Sequence, residues 1–139
     1  MKLTRRQTLW FGLGGAAAAT LANPVFAATV EEMTAAFTAG AVPAADGITL
    51  TAPEIAENGN TVPVSVDAPG AVAIMLLAAG NPTPAVATFS FGPAAGRQMA
   101  ATRIRLAKTQ DVIALAKMAD GSIKQASATV KVTIGGCGG

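Results

Sequence analysis

From Gly47 to Ile134 the apolar residues recur at every second position, in short runs cut by glycine, proline and asparagine. Alternation of this kind puts successive side chains on opposite faces of an extended chain, so it predicts half-buried strands. Ile48 and Leu50 alternate with Thr49 and Thr51. Beyond the turn signal Asn58-Gly59-Asn60, Val62, Val64 and Val66 share one face, and Thr61, Pro63, Ser65 and Asp67 the other. Pro63 lacks a backbone donor, which predicts an edge strand or a bulge there. Pro69-Gly70 turns the chain into Ala71–Ala79, a nearly continuous apolar run that reads as a buried strand, although periodicity alone leaves a helix open. Gly80-Asn81-Pro82-Thr83-Pro84 predicts the next turn. Ala85–Phe91 sets Phe89 and Phe91 on one face, and Gly92–Gly96 reads as a loop. Gln98–Ala107 places Ile104 and Leu106 opposite Arg103 and Arg105. Thr109–Met118 is another apolar strand, Asp120-Gly121 a hairpin turn, and Val130, Val132 and Ile134 alternate with Thr129, Lys131 and Thr133.

Ahead of these strands the period is helical. Thr29 is an N-cap candidate with Glu31 and Glu32 in the first turn, Val30, Met33, Ala36 and Phe37 recur at helical spacing, and Gly40 ends the segment. Ala41–Ala45 reads as a linker. Six or seven short strands with turn chemistry between them predict an all-β fold, an immunoglobulin-like antiparallel β-sandwich with a short N-terminal helix and a flexible C-terminal tail. A small barrel is the alternative. The Cys-Trp-Cys pin of antibody domains is absent, so the likeness is one of architecture.

The first 27 residues read as an address. A basic start, an uncharged run from Leu9 to Ala22, a break at Asn23-Pro24 and the small-x-small site Val25-Phe26-Ala27 are the parts of a secretory signal, with the cut before Ala28. The run of about 14 residues is rich in Gly and Ala, whereas a spanning helix needs about 20 more apolar ones, so no membrane anchor is expected. Thr4-Arg5-Arg6-Gln7-Thr8-Leu9 resembles the twin-arginine export signal, with Arg5 and Arg6 as its pair, and implies a periplasmic protein. That route carries folded cargo, which suggests export together with a second, signal-less subunit. The expected divisions are residues 1–27 (signal), 28–46 (helix and linker), 47–134 (sandwich) and 135–139 (arm).

Composition removes most chemistry. There is no His, which excludes Ser-His-Asp and Cys-His catalysis and imidazole-ligated metals. One Cys permits no internal disulfide and no thiolate cluster. The apparent pI of 9.0 arises from Lys2, Arg5 and Arg6; after residue 27, seven Lys/Arg stand against eight Asp/Glu. No nucleic-acid partner is expected, since no basic patch with interleaved aromatics remains. Arg103 and Arg105 read as a solvated strand face, Asp111 as a strand-edge residue and Asp120 as a turn residue. No cofactor is implied.

What remains is Gly135-Gly136-Cys137-Gly138-Gly139. Five residues whose one side chain is a thiol cannot build a core around it, so the usual reading of a lone Cys as a buried small hydrophobe fails. Gly135, Gly136, Gly138 and Gly139 predict a thin flexible tether. Fully extended, three residues past Ile134 would carry the sulfur about 10 Å beyond the sandwich. No cation or helix N-terminus adjoins Cys137 in sequence, so its thiol keeps a pKa near 8.5 and only a few per cent is thiolate at neutral pH. A weak nucleophile on a long arm is a handle on which other enzymes act.

The terminal Gly-Gly-Cys-Gly-Gly, the export signal, the N-terminal helix and the segments Ala52–Gly59, Asn81–Pro84 and Thr102–Ala107 together resemble the SoxY family. These are the carrier subunits of the bacterial sulfur-oxidation (Sox) system. The resemblance implies a non-enzymatic carrier that pairs with SoxZ and holds sulfur intermediates covalently on Cys137. It further implies transient contact with a haem-containing enzyme that conjugates thiosulfate to the thiol, a metal-dependent hydrolase that releases sulfate, and a sulfane dehydrogenase. The competing reading is an exported adaptor whose odd Cys forms a permanent intermolecular disulfide.

Overall fold

The computed structural model describes residues 28–136. The export signal with Arg5 and Arg6, and Cys137, Gly138 and Gly139 of the arm, lie outside the described residues.

Helix α1 (Val30–Thr38) begins where the sequence marks it. The Thr29 hydroxyl accepts from the Glu32 amide at 3.2 Å, and the Thr29 amide donates to the Glu32 carboxylate at 2.8 Å. This reciprocal box satisfies two of the donors that a helix start leaves unpaired. The helix ends at Ala39 and Gly40, both at positive φ (52° and 81°). Its Val30, Met33 and Phe37 pack on Leu77, Leu115 and Ile123. Ala36, expected on that face, is exposed.

Eight strands follow: β1 (Thr49–Thr51), β2 (Ile55–Ala56), β3 (Val62–Asp67), β4 (Ala71–Ala78), β5 (Ala85–Ser90), β6 (Met99–Ile104), β7 (Gln110–Met118) and β8 (Ile123–Val132). They form two sheets, one of order β1-β3-β6 and one of order β2-β8-β7-β4-β5. Every pairing is antiparallel except that of β2 with β8. Val62, Val64, Val66 and Ile104 of the smaller sheet meet Ile74, Leu76, Val112 and Val130 of the larger one in a closed core. The larger sheet turns its other face to α1, so the order of layers is sheet, sheet, helix. The β-sandwich expected from the alternation is the observed architecture.

Three details differ from the sequence reading. Pro63 was expected in an edge strand or at a bulge, yet β3 is the central strand of its sheet and pairs with β1 and β6 without a register shift. Proline is tolerated because β1 pairs only with Ser65, Val66 and Asp67, so Pro63 has a strand neighbour on one side alone, Arg103 of β6. The strand β8 starts at Ile123, well before the Thr129–Ile134 alternation. It is held to β7 by eight residue pairs from Lys117↔Ile123 to Gln110↔Val130, and the Ala44 backbone bonds Ile123 and Gln125 on its other side. The two-residue β2 was not foreseen; it lies parallel on β8, with Ile55 opposite Lys131 and Ala56 opposite Val132.

The β7–β8 hairpin is closed by Asp120, whose carboxylate accepts from the Ser122 amide (2.8 Å) and hydroxyl (2.6 Å), with Gly121 at φ 86°. These bonds hold the Asp120 carboxyl below its usual pKa, and the 2.9 Å bond from Lys124 does the same for Asp46. Groups with a lowered folded pKa stabilise above their unfolded pKa and lose that contribution as pH falls through the folded value. With no His in the chain, the unfolding free energy should be flat between about pH 5 and 7 and decline below about pH 4, as read by urea titration at each pH. Truncating Leu76, 1% exposed between the two sheets, should lower stability by about 2–5 kcal/mol, measurable as a shifted urea midpoint for Leu76→Ala.

Candidate functional site: the base of the arm

The described chain leaves the sandwich along the end of β8, where β2 runs beside it. Lys131 donates its amide to the Glu54 carbonyl (2.9 Å) and Thr133 to that of Ala56 (3.0 Å). The Thr133 hydroxyl adds a bond to the Glu57 carbonyl at 2.9 Å. The two segments are thereby zipped together as far as the turn at Asn58-Gly59-Asn60, in which the Asn58 side chain accepts from the Asn60 amide at 2.9 Å.

At that turn three distant parts of the chain meet. Gly59 donates its amide to the Ile134 carbonyl (2.7 Å). Leu106 donates to the Gly59 carbonyl (2.8 Å), and Gly136 donates to the Leu106 carbonyl (2.9 Å). Gly59 and Gly136 are both buried. None of Gly59, Gly135 and Gly136 has a positive φ, so their need for glycine is one of space and not of backbone conformation. A Cβ on Gly59 would overlap the Leu106 carbonyl oxygen and stand 2.8 Å from the Gly136 nitrogen; one on Gly135 would overlap the Ala107 carbonyl oxygen; one on Gly136 would stand 2.8 Å from the Gly59 oxygen. The tether expected to be free from Gly135 onward is therefore packed backbone over its first two residues. The sequence reading treated these glycines as mere absence of side chain, whereas here that absence is what lets three backbones touch.

The Leu106–Ala107 segment that receives the arm is itself held by a polar knot. Asn81 donates its side-chain amide to the Arg105 carbonyl (2.8 Å) and accepts from the Ala107 amide (3.0 Å) and from Gln110 (2.8 Å). Gln110 also bonds the Lys108 carbonyl (3.0 Å) and the Gly80 amide (2.8 Å). Asn81 is 8% and Gln110 7% exposed, so these bonds form away from water, where an unpaired amide is costly. Sequence reasoning saw only a turn at Asn81, because its partners lie more than twenty residues away.

Arg103 and Arg105 are exposed at and just past the end of β6. Asp111 accepts from the Thr129 hydroxyl at 2.6 Å across the β7–β8 pair. A groove on the outer face of the smaller sheet is lined by Thr51, Pro63, Ser65, Ala101 and Arg103, with Arg103 its one ionisable lining group. Among the described residues no three acidic, His or Cys side chains gather to hold a metal ion, and no helix is long and apolar enough to cross a membrane.

The sequence profile of the family described as "Sulfur oxidation protein SoxY" matches residues 33–137, a span that takes in the sandwich, the packed arm base and Cys137. The chain belongs to the SoxY family. Among solved structures it is similar to the sulfur carrier protein SoxY from Chlorobium limicola f thiosulfatophilum, at 34% identity and a TM-score of 0.66, over 76% of this chain and 97% of that one. Superoxide reductase (neelaredoxin) from Ignicoccus hospitalis shares 18% identity at a TM-score of 0.54, over 61% of this chain and 79% of its own. A superoxide reductase homologue from Thermotoga maritima shares 17% at 0.52, over 61% and 84%. At such identities these two show the common sandwich and nothing of its chemistry. Comparison with curated proteins finds no match.

Removing the Asn81 side chain leaves the Arg105 carbonyl and the Ala107 amide without partners. Asn81→Ala should lower stability by about 1–3 kcal/mol in urea unfolding, well above the change at an exposed position such as Thr83.

Proposed function

We propose that this chain is a periplasmic carrier in bacterial thiosulfate oxidation, holding sulfur intermediates covalently on Cys137 and presenting them to partner Sox enzymes. The observation that supports it most is the match to the SoxY profile running through residue 137, on a sandwich whose end leads the chain out beside Gly59. The 34% identical Chlorobium protein is itself a sulfur carrier.

The chemistry asks little of the carrier. The thiol of Cys137 loses its proton and, together with thiosulfate, two electrons; a sulfur–sulfur bond forms, and the electrons pass to the haem-containing partner. Water then attacks the terminal sulfonate sulfur in the metal-dependent hydrolase, sulfate leaves, and a persulfide stays on Cys137. The dehydrogenase then oxidises the remaining sulfane sulfur while it stays bonded to Cys137: water supplies three oxygens, six electrons leave through the dehydrogenase, and a second hydrolysis releases sulfate and returns the thiol. Each step uses catalytic groups of a partner, and the carrier contributes a sulfur at the end of a slender chain. SoxZ is the proposed stable partner, folded with this subunit before twin-arginine export directed by Arg5 and Arg6.

Intact-mass analysis after incubation with thiosulfate and the conjugating partner should show sulfur adducts confined to Cys137, and Cys137→Ser should abolish both adducts and thiosulfate-dependent electron release. Adducts elsewhere, or turnover kept by Cys137→Ser, would overturn the reading. A stoichiometric intermolecular disulfide insensitive to thiosulfate, seen on non-reducing electrophoresis, would instead favour the adaptor.

A further inference from the structure

We propose that Gly59 is a positioning residue of the carrier arm: with the Leu106–Ala107 backbone it forms a clasp that grips Gly135 and Gly136, so that the arm departs from Gly136 and not from the end of β8. The clasp rests on the carrier reading for its purpose alone, since its existence is a property of the fold and is testable without any sulfur compound.

Three observations carry it. The bonds Gly59–Ile134, Leu106–Gly59 and Gly136–Leu106, all between 2.7 and 2.9 Å, run from one segment to the next and close the tail onto the sandwich. Gly136 is buried although it lies four residues beyond the end of β8. Side-chain space is missing at all three glycines, two on the arm and one 76 positions before Gly135, where no sulfur chemistry calls for glycine. A tether that needed only flexibility would place no demand on residue 59.

The consequence is a fixed origin for the thiol. A held Gly136 fixes the point on the sandwich from which the chain continues. Releasing the clasp would free two more residues and add about 7 Å of reach. A partner with a shallow site can take the clasped form, and one with a deep site must open it.

Two measurements on the isolated protein test the clasp. Amide hydrogen exchange by NMR should find the Gly136 N–H slowed about tenfold or more against an unstructured peptide. In Gly135→Ala, whose Cβ would overlap the Ala107 oxygen, that protection should vanish while the sandwich stays folded, its unfolding midpoint lowered by no more than the loss of the tail's bonds to Gly59 and Leu106 accounts for, because the tail can peel away and water can replace them. A nitroxide on Cys137 should tumble faster in Gly135→Ala than in the parent. Replacing a glycine stiffens a chain, so loss of tether flexibility alone predicts slower tumbling, the opposite sign. Gly138→Ala, the stiffness control, should leave Gly136 protected. Gly59→Ala should behave as Gly135→Ala does; if it fails to fold, Gly135→Ala decides alone. An unprotected Gly136 amide in the parent, or a slowed label in Gly135→Ala, overturns the clasp. Neither result depends on whether Cys137 accepts sulfur, so the carrier reading stands or falls separately.

Discussion

Leu106 imposes the constraint from which the geometry of this end of the molecule follows. Its side chain is wholly buried in the core between the sheets, yet it lies two residues past Ile104, the last paired residue of β6. A buried amide and carbonyl must find partners, and no neighbouring strand supplies them there. The Gly59 carbonyl and the Gly136 amide do so, and Asn81 secures the residue on either side. The segment is thus ordered by one side-chain amide and two glycine backbones. The path of the chain towards Cys137 is in turn a result of how Leu106 is satisfied.

The remainder of the fold isolates this end from the rest. Residues of α1 seal the outer face of the larger sheet with Val30, Met33 and Phe37, and the inner faces of the two sheets seal each other. The Asp46–Lys124 ion pair and the Ala44 backbone tie the connection after α1 to the start of β8, far along the strand from where the chain emerges. Chemistry beyond Gly136 can change without any rearrangement of the hydrophobic layers. Such independence suits the carrier role proposed above, in which the cargo on Cys137 would differ in charge and size from step to step.

Much of this was legible in the residues. Val62, Val64 and Val66 alternate cleanly because one face of β3 meets the core and the other meets water, and Thr29 with Glu32 announces the helix start through local bonding. The start of β8 was not legible, since Lys124, Gln125 and Ser127 carry no apolar alternation and the strand owes its form to pairing with β7. Nor was β2, two residues long and paired with a strand about 76 positions away. Pro63 misled because the local rule concerns a donor, whereas its tolerance depends on how short β1 is. The expected arm, a single thiol among glycines, is plain in the sequence, but the attachment of its base is written in Gly59, Asn81 and Leu106, which no local pattern connects.

The close approach at Gly59 has a genetic corollary. Every single-nucleotide missense change in a glycine codon installs a Cβ, and at residues 59, 135 and 136 each such Cβ would crowd a backbone atom of another segment. A lineage drifting by single steps therefore meets a side-chain clash at each of these codons, even at residue 59, which stands 78 positions before Cys137.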